Sequence, residues 1–373
     1  MVGKSALIAA TSGSCIVAVG SQALQAVTTG ATHVAVGFSA GQAHTTGTAA
    51  TFIGYHAACS NTTGSQNIAI GYQSLMDQTT ASNNVGVGYR SGFNVTTGGD
   101  NTAIGNVALY CSTTGQNNTA LGASALCLTL ADGNTGLGSK ALLKNAGGCK
   151  NTASGYAAMK NNTSGTDNTA HGTQSLYSNT TACYNTAIGK AALYTNTTAS
   201  CNTAFGACAL YANTTGPYNV ATGWLSLKSN TTGQYNVGVG AFALCLNTTG
   251  SGNLAVGTSA LKSNTTGVKN TASGGDVLYA NTTGSRNTAS GYEALKSNTT
   301  ASYNTAFGAC ASYANTTGSQ NTAVGMRALK ANTTGYENAA FGSYSLYLNT
   351  TGNKNTATAV SYTHLTLPTN REV

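Results

Sequence analysis

Glycine returns every seventeen residues along almost the whole chain. Twenty glycines keep this beat from Gly20 to Gly342, and one step is shorter by a residue, Gly122 to Gly138, where Thr129-Leu130-Ala131-Asp132-Gly133-Asn134 closes the unit. A fixed short period means a repeat array, in which one unit cannot bury its own apolar face and must stack on its neighbours. Helical-hairpin repeats need about 33 residues, so seventeen excludes them. Each unit also carries Gly, Asn and Thr, all poor in helix interiors.

A representative unit runs Asn185-Thr186-Ala187-Ile188-Gly189-Lys190-Ala191-Ala192-Leu193-Tyr194-Thr195-Asn196-Thr197-Thr198-Ala199-Ser200-Cys201, and Asn202 begins the next. Asn-Thr-Ala-Ile-Gly reads as a short strand and Ala-Ala-Leu-Tyr as a second. Asn-Thr-Thr-Gly reads as a turn, because Gly and Asn reach left-handed angles and Asn and Thr side chains bond nearby backbone. The predicted fold is all-β: a parallel β-solenoid (β-roll) of about twenty coils, one unit per coil, stacked about 4.8 Å apart.

Stacking turns equivalent positions into columns. Gly189, Gly206, Gly223 and Gly240 form one. Leu193, Leu210, Leu227 and Leu244, four after the glycine, form the surest interior column. Asn185, Asn202, Asn219 and Asn236 suit an amide ladder in which side chains satisfy one another along the axis. The residue before the glycine (Ile188, Phe205, Thr222, Val239, Val256, Ser273, Ser290, Phe307, Val324 and Phe341) and the Ala two before it alternate in direction. One of these two columns faces outward, and a largely apolar outward column is a good subunit interface. Five after the glycine, Tyr177, Tyr194, Tyr211, Lys228, Lys262, Tyr279 and Lys296 make an aromatic and basic column, the candidate surface for binding. Lys over a neighbouring Tyr gains about 0.5–1 kcal/mol. Trp224, just after a glycine, is read as outward.

The array divides by regularity. Residues 1–66 are degenerate coils that suit an N-terminal cap, with His33 in one Asn position; residues 67–359 are regular; residues 360–373 lose the repeat. The run Val360-Ser361-Tyr362-Thr363-His364-Leu365-Thr366-Leu367-Pro368-Thr369 looks like a translated sequencing-library adapter and is read as non-native.

Charge and chemistry narrow the function. Only 6% of residues are charged, with net charge +8, against about 25% charged in ordinary domains. The basic residues form no dense footprint, so nucleic acid is not an expected partner. No apolar run reaches eighteen residues, so no membrane insertion is expected in this segment. The ten cysteines contain no Cys-x-x-Cys pair, which removes zinc and redox spacings. They read as small buried filler, with a Cys111–Cys127 bridge conceivable. Acidic residues build no sustained column, and His33, His44, His56 and His171 occupy four different ones. No catalytic group, metal site or cofactor site is expected, and no enzyme. Asn-Thr-Thr matches the glycosylation acceptor many times, with turn chemistry as its use.

The units Asn185-Thr186-Ala187-Ile188-Gly189 and His33-Val34-Ala35-Val36-Gly37-Phe38-Ser39-Ala40 resemble head repeats of YadA-type trimeric autotransporter adhesins and look equally like phage tail-fibre repeats. The resemblance covers residues 15–359. It implies a left-handed β-roll, a homotrimer, and attachment to a glycan or protein receptor from a virion tail fibre or a bacterial surface. The alternative is an ice-binding solenoid using the Thr column Thr186, Thr203, Thr271, Thr288, Thr305 and Thr322, which Val220, Val237, Leu254 and Ala339 interrupt.

Overall fold

The structure is a computed structural model and describes residues 2–358; the 360–373 segment lies outside them. The chain is an all-β parallel solenoid with seventeen-residue coils, and no helix occurs among the described residues. It divides into two compact units, residues 1–202 and 203–373.

The first unit holds eleven short strands, opening with β1 (Ile16–Val19), β2 (His33–Val36) and β3 (Thr51–Ile53) and closing with β11 (Thr186–Ile188). The second holds ten, from β12 (Thr203–Phe205) to β21 (Thr356–Thr358). Within each unit every strand pairs in parallel with its copy one coil away. Val34 stands on Thr51, and in the second unit Val220 stands on Val237 and Thr222 on Val239. The strands number one more than the twenty regular glycines, because β21 pairs in register though no glycine follows it. The beat also reaches back to Gly3, whose φ is +137° and whose neighbour Val2 bridges Val19.

Nearly all backbone bonding runs between coils, as one coil of the second unit shows. Val237 N–H donates to Asn253 O in the following coil, and Gly240 and Phe242 N–H donate back to Thr222 and Trp224 O. Leu244, Leu246 and Thr248 N–H donate forward again. Only Ala243, Cys245 and Asn247 bond within their own coil. A coil therefore satisfies its amides by having neighbours, which is the nearest-neighbour logic of solenoids.

The glycine beat has a steric cause. Gly240 has φ +129°, and a Cβ there would lie 2.5 Å from the carbonyl oxygen of Gly257. No side chain fits at that distance or at that angle.

The Ala-Ala-Leu-Tyr run is not the second strand the sequence suggested. It belongs to a continuous series of turns in which left-handed residues recur at alternate positions: Ala191 (φ 55°) and Leu193 (φ 52°), Leu225 (58°) and Leu227 (50°). Left-handed backbone costs about 1–2 kcal/mol per residue. The alternation aims amides along the axis, where they reach the coils on either side. Leu193, Leu210, Leu227 and Leu244 are fully buried at this bend.

The core tolerates exchange when neighbouring columns compensate. Phe52 takes an Ala place and is fully buried. Gly41 takes the Leu place in the preceding coil, where a Cβ would stand 2.5 Å from the Phe52 ring. Ser226 in an Ala place is matched by Gly238, whose carbonyl accepts the Ser226 hydroxyl at 3.0 Å.

Candidate functional site

Position n below is the nth residue after the coil glycine. The strand decides which columns face outward. Ala two before the glycine is buried throughout, and the residues one and three before it point to solvent. In the first unit the outward column is aliphatic for eight coils: Val19, Val36, Ile53, Ile70, Val87, Ile104, Leu121 and Leu137. Val36, Ile53 and Ile70 are each 36% exposed. Beside it, position 1 carries Phe38, Tyr55, Tyr72 and Tyr89, stacked ring on ring at 5.5, 5.2 and 5.4 Å. Arg90 covers the end of the stack, 5.2 Å from the Tyr89 ring, and is held by Gln73 Oε1 at 2.8 Å. Trp224, also at position 1, is exposed and meets Phe242 edge-on at 4.7 Å.

The aromatic and basic column at position 5 pairs with itself. Tyr177 and Tyr194 stack at 5.1 Å. Lys262 Nζ lies 5.1 Å from the Tyr279 ring and donates to its hydroxyl at 3.2 Å. Lys296 sits 5.9 Å from Tyr313 but spends its charge on Glu293 at 2.6 Å and Asp276 at 3.8 Å. That hydrogen bond holds Glu293 below the usual carboxylate range and Lys296 above its own. Tyr211 is half-exposed and Lys228 exposed. Ring faces in the stacked and paired part of this column are covered by the next coil, leaving ring edges and ammonium groups outward.

Two Asn columns line the corners. Asn236 N–H donates to Asn219 Oδ1 at 3.0 Å, and Asn236 Nδ2 donates to Gly250 O at 2.8 Å. Asn185 and Asn202 are placed alike. Their oxygens therefore hold the next coil's backbone, beyond the amide-to-amide stacking the sequence suggested. A pure amide ladder runs instead through position 7, where Asn247 Nδ2 donates to Asn230 Oδ1 at 2.8 Å and to Gly250 O at 2.9 Å. This Asn opens every Asn-Thr-Thr acceptor and is buried in all of them except the last, where Asn349 is half-buried. Reading the segment as a turn did not show this burial. Position 11 also carries a backbone role: Ser251 and Ser285 accept the amides of Gln234 and Val268 from the coil before, at 3.1 and 3.0 Å. Cys183 does this with sulfur for Thr166, and Pro217 has no amide to satisfy.

In the coil of Gly37, His33 and His44 replace both Asn. Both are fully buried, with rings T-shaped at 4.8 Å. His33 Nδ1 accepts from Ala50 N–H at 3.4 Å, and His44 Nδ1 lies 2.9 Å from the Asn61 amide. The imidazoles stand in for amides: His33 Nδ1 accepts, whereas His44 Nδ1–H donates to Asn61 Oδ1. Burial pushes His33 down to about 4, helped by the neighbouring His44, which burial also lowers.

All ten cysteines are free, Cys111 and Cys127 included, and only Cys245 is buried, so they are not core filler. Among the described residues, no group of three or more His, Cys, Asp or Glu side chains stands close enough to hold a metal, and no helix is long and apolar enough to cross a membrane.

Compared with known protein families, curated proteins and solved structures, the chain matches none. The geometry of its outward columns is what bears on function.

Proposed function

We propose that the chain is the structural segment of an attachment fibre. It associates with further copies of itself, as a homotrimer, and presents outward columns to a glycan or protein receptor on a cell surface. It performs no catalysis in this reading, and its place is a virion tail fibre or a bacterial surface. The observation that carries it is the outward face of the first unit. Three adjacent columns, three and one before the glycine and one after it, hold no charged side chain from Val17 to Ser139. The face extends about 34 Å at the stacking distance of parallel strands. Exposed apolar patches of this extent mark interaction surfaces.

The test is mass in solution across a concentration series. The chain is expected to be trimeric, and Ile53→Lys with Ile70→Lys, both solvent-facing, to release monomers with an unchanged circular dichroism spectrum. A chain that is monomeric throughout and binds neither cells nor glycans would rule the proposal out. The Thr column three before the glycine gains no support as an ice face: it is half-buried in most coils and shares its strand with bulky apolar neighbours such as Phe205 and Phe307.

A further inference from the structure

A different threonine column is continuous and outward. Position 9 is Thr in nine successive coils of the second unit, from Thr215 to Thr351, and every one is exposed. Its neighbour at position 8 is also Thr, but that hydroxyl is engaged: Thr231, Thr265 and Thr299 Oγ1 each donate to the Thr carbonyl of the following coil at 3.1 Å. No hydrogen bond within the described residues uses the position 9 hydroxyls from Thr232 onward.

The coil does not require Thr there. In the first unit Gly147 and Ser164 occupy the same place, and strand pairing continues around them. Exposed columns without a fixed task drift: position 12 reads Gly252, Lys269, Arg286, Tyr303, Gln320 and Glu337 over the same coils. Positions 8 and 10 are nearly constant for reasons within the array, the inter-coil Thr hydroxyl bond and the crowded glycine, but an exposed residue that stays constant with its polar group unspent inside is held constant by something outside. Position 6 beside it is mostly Ala or Ser, and positions 6, 8, 9 and 10 carry no charge from Ala212 to Thr351.

We propose that this face binds ice. A ligand that reads one hydroxyl and one methyl at every coil must be uncharged and itself periodic, and crystalline water is both. Each Thr hydroxyl offers one donor and two acceptor lone pairs. Thr is stiff about χ1, so the array loses little side-chain freedom on binding. This activity is separate from the attachment reading and survives its failure.

The experiment measures thermal hysteresis and ice recrystallisation with the full chain. The chain is expected to hold a hysteresis gap and keep ice grains small. Thr266→Lys with Thr283→Lys is expected to abolish both, with the circular dichroism spectrum unchanged, and Tyr303→Lys at position 12 to retain both. Absence of both effects in the unaltered chain overturns the proposal. So does full activity in the double variant, or binding to an insoluble polysaccharide through these threonines without any effect on ice.

Discussion

The two units wind the same coil and differ in what they do with it. In the second unit both Asn corners run unbroken, Asn219 to Asn355 and Asn213 to Asn349, and the threonines of position 9 never lapse. The first unit carries His33 and His44, the Phe52–Gly41 exchange, Val95 buried in an Asn place, and the sixteen-residue coil. At that short coil the threonine column lapses, and Gly147 and Ser164 hold its place in the next two coils. Yet strand register and inter-coil bonding are alike in both. Backbone bonding and the steric glycine thus define the coil, while corner and surface columns vary independently.

The first way to break the comparison is at the glycine. Gly240→Val is expected to cost about 4 kcal/mol or more, because its Cβ would enter the Gly257 carbonyl, and Gly71→Val in the first unit should cost as much. Gly252→Ala, where the nearest atom to an added Cβ is 3.6 Å away, should cost only about 1 kcal/mol. Denaturant midpoints decide, and a mild Gly240→Val would sink the steric account.

Acid separates the units next. The folded His33 ionises near 4 and the unfolded one near 6.5, so the unfolded chain takes up protons first. Stability is then whole above 6.5 and falls as pH drops towards 4, by about 3 kcal/mol at 1.36 kcal/mol per pH unit. Glu293 in the second unit, lowered from 4.5, acts only below that pH. Hydrogen exchange between pH 6.5 and 4.5 should show loosening confined to the coils around His33 and His44, and His33→Asn with His44→Asn should remove it.

Smaller effects follow. Asn270→Leu strands the Asn287 amide, which donates to Asn270 Oδ1 at 2.9 Å, and is expected to cost about 2 kcal/mol in thermal unfolding.

Much of this was legible because a period of seventeen superimposes like on like. Gly189, Leu193, Ala187 and Asn185 announce their columns by recurrence alone. Recurrence does not say which way a column points. Ile188 and Ala187 both sit in recurring, largely apolar columns, and the pleat, with Ala inward, shows which one is core. Asn196 and Thr198 lie two residues apart in one apparent turn, yet the first is sealed and the second exposed. The left-handed angle at Leu193 was invisible for another reason: Leu rarely adopts it, and stacking imposes it here.

The sealed position 7 asparagines bear on where such a chain can mature. Oligosaccharide transfer to Asn-Thr-Thr needs the amide in the open, and here it is accessible only before its coil is covered. A sugar attached in that interval would sit where the next coil must lie, and winding would halt there. A polypeptide carrying this acceptor in coil after coil is suited to folding away from glycosylating enzymes, or ahead of them.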